Sequence, residues 1–114
     1  MAIHQTDLLQ GTLDLLILQT LRAGPNHGYG IALRIHALSR DVLRIEEGSL
    51  YPALYRLETQ GLLDSTWQIT EHKRRAKVYR LTRKGRRAAA DELGGWTRLS
   101  GAVAHLLRAV AQEA

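Results

Sequence analysis

Ser49, Tyr51, Pro52, Tyr55, Arg56 and Thr59 crowd one short stretch with side chains suited to hydrogen bonding and stacking. A phenol donates and accepts at its hydroxyl and lays a flat ring on methyl groups or sugars. A guanidinium forks onto a phosphate or onto the O6/N7 edge of guanine. No neighbouring residue makes any of them a nucleophile with its base, and no carboxylate pair or phosphate-cradling glycine loop occurs elsewhere. The chemistry on offer is recognition, and no enzymatic activity is expected. A second concentration follows. Lys73, Arg74, Arg75, Lys77, Arg80, Arg83, Lys84, Arg86 and Arg87 are nine of the sixteen Lys and Arg residues, with no acidic residue among them. The positive field is local, which suits an anionic partner better than a diffuse excess would.

These groups must be held by something. Within EEGSLYPALYRLETQGLL, Leu50, Ala53, Leu54 and Leu57 recur at i, i+3, i+4 and i+7, one apolar stripe of an α-helix. Ser49 is the expected N-cap, Pro52 falls in the first turn, and Gly61 ends the helix. Solubility alone would call for Lys and Glu opposite that stripe, so the two tyrosines and Arg56 point to a binding face. Upstream, leucines and isoleucine at 8, 9, 13, 15, 16, 17, 18 and 21 predict a helix from Asp7 to Arg22. Thr6 or Asp7 would cap it and Gly24-Pro25 stop it. Its apolar residues cover more than one face, which predicts a subunit contact as well as a core contact. A short helix from Gly28 to Leu38, capped by Asn26, comes next. A loop with an extended piece, Val42 to Ile45, leads to the tyrosine-bearing helix.

After Gly61 the period shortens. Leu62–Thr70 and Lys77–Thr82 carry β-branched and aromatic residues in partial alternation around a polar tip, Glu71 to Ala76, which predicts a β-hairpin. Trp67 and Tyr79 are assigned to its core side. Arg83 to Ala114 is helical in composition, and Leu93, Trp96, Leu99, Val103, Leu106 and Val110 form a single stripe. Gly94-Gly95 marks a point for a bend or break.

The 114 residues fit one small fold, with 45% hydrophobic and 24% charged residues, a formal charge of +5 and a pI near 10.1. Cysteine is absent, which excludes disulfides and thiolate metal sites. His4, His27, His36, His72 and His105 lack metal-ligand spacing, so neither metal nor cofactor is expected. The N-terminus lacks the order of a secretory signal and no apolar run is long enough for a membrane span, so a cytoplasmic protein is expected.

The order helix, helix, helix, hairpin, helix is mainly α with a β-hairpin, the winged helix-turn-helix arrangement with an added C-terminal helix. Its third helix enters the major groove of double-stranded DNA and its hairpin touches the neighbouring backbone. On that basis Tyr51, Tyr55, Arg56 and Thr59 face the groove, Ser49 and the first-turn amides take a phosphate, and Lys73, Arg74, Arg75 and Lys77 supply sequence-blind charge. The expected division is 1–85 for DNA binding and 86–114 for dimerisation. An uncovered stripe on a terminal helix is most simply covered by its equivalent in a second copy.

Four pieces carry a resemblance: Leu13-Asp14-Leu15-Leu16-Ile17-Leu18, His27-Gly28-Tyr29-Gly30-Ile31, Gly48-Ser49-Leu50-Tyr51-Pro52-Ala53-Leu54-Tyr55-Arg56-Leu57-Glu58 and Tyr79-Arg80-Leu81-Thr82-Arg83-Lys84-Gly85. In this order, across residues 8 to 110, the chain resembles the PadR family of bacterial transcription regulators, in its short form with a single C-terminal helix. The resemblance implies a homodimer that represses transcription from a palindromic operator, with a small aromatic effector releasing DNA in some relatives. It places DNA contacts at Gly28, Tyr29, Ser49, Tyr51, Pro52, Tyr55 and Arg56. It places the dimer contact on the C-terminal helix (Leu93, Trp96, Leu99, Val103, Leu106, Val110), with help from Leu9, Leu13 and Leu16 of the first. Trp96 is the candidate effector platform.

Two other readings compete. A winged-helix interaction module could dock an acidic protein on its basic wing. An RNA-binding module would need exposed stacking platforms, for which Trp67 and Tyr79 are the candidates. Glu46 and Glu47 stand where a DNA phosphate is expected, either turned away or turned to a cytosine amino group.

Overall fold

The computed structural model describes residues 3–4 and 10–113, and the expected caps Thr6 and Asp7 and the expected contact residue Leu9 lie outside them. In chain order the elements are β1 (Ile3–His4), α1 (Gln10–Leu21), β2 (Asn26–His27), α2 (Gly28–Leu38), β3 (Leu43–Arg44), α3 (Glu47–Thr59), β4 (Leu63–Ile69), β5 (Arg75–Leu81) and α4 (Arg83–Glu113). This is the expected winged helix with its C-terminal helix.

Leu13, Leu15, Ile17, Leu18 and Leu21 are all buried, so α1 is closed in on several sides as its sequence predicts. The cover is its own chain, because α1 packs against α2, α3, β5 and α4. Leu13 belongs to the chain's own core and Leu16 packs against it. Most of the apolar surface of the described part of α1 is therefore covered within the chain, with Leu16 left partly exposed. Ile31, Leu50, Leu54, Leu57 and Leu63 complete the centre, each 2% exposed or less. Truncating any one of them to alanine would cost about 2–5 kcal/mol.

Three helical features differ from the sequence reading. Helix α3 starts at Glu47, with Glu46 in extended conformation as its N-cap and the Leu50 amide bonded to the Glu46 carbonyl at 3.0 Å. Ser49 is thus inside the helix and not its cap, and Pro52 lies beyond the first turn. Its missing N–H cannot pair with the carbonyl of Gly48, an exposed residue. Helix α2 is capped by His27, whose Nδ1 accepts from the Gly30 amide at 3.0 Å. Asn26 supports that cap from behind, its Oδ1 accepting the His27 amide at 2.9 Å. Helix α4 runs unbroken through Gly94-Gly95.

Gly61 closes α3 as expected. At φ 79° it lets the Leu62 amide reach back to the Leu57 carbonyl at 3.0 Å, and its own amide meets Glu58 at 2.9 Å. Strands β4 and β5 pair antiparallel from Leu63↔Leu81 to Ile69↔Arg75. The short β2, which has too few residues for a periodic signal, joins β5 through Asn26↔Tyr79 and His27↔Val78. The sheet therefore has the order β2-β5-β4, and a parallel pair, β1 with β3, stands apart. Thr82 then sets the exit into α4. Its hydroxyl accepts the Gly85 amide at 3.0 Å and donates to the Gly61 carbonyl at 2.6 Å. A side chain at Gly85 would collide with the Leu62 carbonyl, so only glycine permits this approach.

Helix α4 leaves the core soon after it begins. Gly85 and Ala89 are buried, and Gln19 donates to the Ala89 carbonyl at 2.8 Å. Beyond them Leu93, Trp96, Leu99, Val103, Leu106, Leu107 and Val110 are all exposed. A helix of 31 residues is about 46 Å long, which accounts for the 59 Å long axis.

Candidate nucleic-acid interface

A groove of about 870 Å³ runs between the N-terminal ends of α2 and α3 on one side and the wing, β4 with β5, on the other. His27, Tyr29 and Tyr51 line the first wall, and Trp67, Arg74, Arg75 and Lys77 the second. Backbone placement explains the first wall. Gly28 is buried beneath the Tyr51 ring, and a Cβ there would lie 2.6–3.0 Å from Cε1, Cζ and Oη of that ring. Gly28 therefore serves as the bed on which Tyr51 lies, and Tyr29 beside it is exposed. Burial against α2 raises the Tyr51 phenol above its ordinary value, with the nearby Glu47 charge adding to the effect. That places Glu47 on the Tyr51 side of the helix. Tyr51 is half-exposed, and Tyr55, 71% exposed, projects furthest. The raised Tyr51 phenol stays a protonated hydrogen-bond donor near neutral pH.

Arg56 goes elsewhere. Its Nη1 and Nη2 donate to Oδ2 and Oδ1 of Asp14 in α1 at 2.8 and 2.9 Å, a two-pronged ion pair. The guanidinium is 30% and the carboxylate 14% exposed. The hydrogen bonds to Asp14 hold the Arg56 pKa above its usual value. The expected groove-facing arginine is thus a strut between the third helix and the first. The helical wheel explains why. At 100° per residue Arg56 lies about 110° from the centre of the apolar stripe, on a flank, whereas Tyr55 and Thr59 lie about 150–170° away.

The opposite flank carries a second strut. Glu58 accepts from the Ser65 hydroxyl at 2.6 Å and from Lys77 Nζ at 3.1 Å. The Ser65 hydrogen bond first, and Lys77 second, hold the Glu58 carboxyl below its usual range, while Glu58 pushes Lys77 up. Lys77 was expected as a free wing cation and instead ties the wing root to α3. Among the described residues no carboxylate pairs with Lys73, Arg74 or Arg75. They surround the tip, where Thr70 braces the turn: its amide meets the Arg74 carbonyl at 2.8 Å and its carbonyl takes the Lys73 amide at 2.9 Å. The turn works without Asn-Gly because Lys73 itself takes the left-handed conformation, φ 56°.

Trp67 departs most from the sequence reading. Tyr79 is buried as expected, but Trp67 is 58% exposed, with the Arg75 guanidinium 4.7 Å from its ring centre. Trp96 does not line the groove and sits on the α4 stripe. Asp14 and Glu58 are not among the site residues the sequence suggests, and Trp67 enters there only as a stacking candidate for RNA that is assigned to the core side. Period and charge runs do not reveal cross-chain pairing, although the flank position of Arg56 and Glu58 was a usable signal.

Among the described residues no group of His, Asp and Glu is placed to hold a metal ion, and no helix is long and apolar enough to cross a membrane. Residues 17–91 match the family model described as the transcriptional regulator PadR-like family. A PadR family transcriptional regulator from Eggerthella lenta is 38% identical, with TM-score 0.70 over 86% of this chain and 83% of that one. A transcriptional regulator from Clostridium thermocellum is 29% identical, with TM-score 0.77 over 87% and 96%. The transcriptional regulator Rv3488 of Mycobacterium tuberculosis is 44% identical over 55 residues, 48% of this chain and half of that protein. With the winged-helix architecture and a family match over most of its length, the chain belongs to the PadR-like family of DNA-binding transcriptional regulators.

Proposed function

We propose that the protein is a homodimeric repressor that reads a palindromic operator, with the groove between α3 and the wing set against DNA. The observation that carries this reading is the joint exposure of Tyr51, Tyr55 and Tyr29 beside the tip cations Lys73, Arg74 and Arg75, which have no carboxylate partner among the described residues. The tyrosines contact bases and sugars, and the tip holds phosphates across the adjacent groove. Ser49, within the first turn of α3, stands close to the phosphate that the helix N-terminus attracts, and Pro52 shapes the surface beside it. Arg56 and Lys77 are assigned to holding the interface together instead of reading it.

Residues 1–85 form the reading head and 86–114 the dimerisation arm in this proposal. Two α4 stripes, each exposing Leu93, Trp96, Leu99, Val103, Leu106 and Val110, cover one another about a two-fold axis. The two α3 helices then stand about one DNA turn apart, roughly 34–36 Å. Trp96, in the middle of this arm, is the proposed platform for a small aromatic effector between subunits. The repressing role and effector release are proposed from the resemblance to the PadR family alone.

The test is fluorescence anisotropy with duplexes tiled across the protein's own promoter, over a salt series, with wild type and Tyr55→Ala. Preference for one palindromic segment, lost in the variant with the salt slope kept within about one unit, supports the reading. Equal and weak binding of every duplex by both proteins refutes it and moves attention to an acidic protein partner at the wing.

A further inference from the structure

The inner face of the hairpin is apolar at its root and should end where the core ends. The register puts Leu63↔Leu81, Ser65↔Tyr79, Trp67↔Lys77 and Ile69↔Arg75 on that face in succession. Leu63, Tyr79 and Leu81 are buried, yet the next steps outward are Trp67 and Ile69, 58% and 69% exposed. Nothing in the core requires a tryptophan there, and a solvated ribbon is better served by polar residues. The indole is nonetheless held in place. Arg75 stacks on it at 4.7 Å, diagonal to it in the ladder, and Lys77 opposite is fixed by Glu58 at 3.1 Å. Both Trp67 and Arg75 line the groove that faces Tyr51.

Each partner prepares the other. Stacking restricts a guanidinium that would otherwise sample many rotamers, and leaves its in-plane N–H groups directed away from the ring for hydrogen bonding. The ring in turn keeps exposed area that only a flat or apolar surface will cover well. A deoxyribose next to a phosphate offers both surfaces at the right spacing. We propose that Trp67 and Arg75 form a composite contact with the DNA backbone, the indole packing on a sugar while the stacked guanidinium holds the adjoining phosphate. This rests on the DNA-binding reading of the groove and adds Trp67 as an affinity-determining residue, one that acts without regard to base sequence.

The contact is tested with a short mixed-sequence duplex at low salt, following DNA anisotropy and tryptophan emission in the same titration. The chain has two tryptophans, so wild type is compared with Trp67→Phe, which leaves Trp96 alone as emitter. Emission should change in step with anisotropy in wild type, and that change should be lost in Trp67→Phe. Trp67→Ala should weaken binding roughly ten-fold with the salt slope unaltered, whereas Arg75→Ala should weaken binding and reduce the slope by about one. Because Trp67 is exposed, an unchanged circular dichroism melt will show that the variants fold. The proposal is overturned if emission stays flat while anisotropy saturates, or if Trp67→Ala binds like wild type. An absence of any anisotropy change with wild type would instead bring down the DNA reading of the groove as a whole.

Discussion

The Asp14–Arg56 strut separates two roles for an arginine on a recognition helix, and its energetics can be worked out before any measurement. At the observed N–O distances of 2.8 and 2.9 Å the pair is bidentate. Two unit charges about 4 Å apart gain about 4 kcal/mol at an effective dielectric of 20, and desolvation of both groups offsets part of that. A net coupling of about 1.5–3 kcal/mol remains, above the 0–1 kcal/mol usual for exposed pairs. The two single variants should not cost the same. Arg56→Ala strands a carboxylate only 14% exposed. The charge of Asp14 also acts on Glu92 of α4, so the stranded carboxylate faces a second acidic group. A loss of about 2–4 kcal/mol is expected. Asp14→Ala strands a guanidinium that is 30% exposed and can turn to water, at a cost of about 1–2 kcal/mol.

The assay is urea denaturation of wild type, both single variants and the double variant, at one fixed protein concentration because association would shift every midpoint. The double variant should be less destabilised than the sum of the singles by the coupling energy. On a chain of 114 residues each kcal/mol displaces Tm by about 3–5 °C, so the pattern is also readable by melting. DNA binding gives the opposing test. If Arg56 reads a base, Arg56→Ala should lose sequence preference at nearly unchanged stability. Coupling under about 0.5 kcal/mol, together with that loss of preference, would refute the strut.

Five further outcomes rest on the same geometry. Gly28→Ala drives a Cβ into the Tyr51 ring at 2.6–3.0 Å, so DNA affinity should fall several-fold for a stability cost of about 1 kcal/mol, measured by anisotropy and melting. Glu92 is raised above its ordinary 4.5 by burial and by Asp14, so folding favours its protonated form and stability is lost as pH rises through the raised pKa. Glu92→Gln should then be more stable than wild type at pH 7, with the advantage vanishing below about pH 4.5. Glu58 has the reverse sign, since its lowered pKa gives stability above 4.5 that disappears on acidification, and Glu58→Gln should be destabilised at pH 7. Lys73→Gly relieves a left-handed lysine, gaining about 1 kcal/mol in melting while lowering the salt slope of DNA binding by about one. Leu106→Asp, on the exposed stripe, should leave a folded monomer in sedimentation velocity, and a wild type that is itself monomeric would contradict the proposed arm.

What the sequence made legible, and what it did not, divides along one physical line. The stripe Leu50, Ala53, Leu54 and Leu57, the Gly61 stop and the alternation of β5 are signals within one element, and each came out where periodicity puts it. Burial of α1 on several sides was also legible, but the identity of its cover was not. A sequence shows that an apolar face needs covering and is silent on whether α4 of the same chain or another copy does so. The same blindness misplaced Arg56. Its charge, size and helix were all readable, and its partner forty-two positions away was not. Asp14 is the hydrophilic residue between Leu13 and Leu15, and a carboxylate only 14% exposed there demands a cation. A lone acid inside an apolar run is therefore a prediction of a distant base, and the flank of α3 supplies it. Trp67 inverts the lesson. Its position in the alternation put it correctly on the inner face, but a hairpin outruns the core it springs from. An inward-facing residue past that limit is exposed to whatever fills the groove, so the length of the ribbon, more than its pattern, decides which aromatic residues are left to bind.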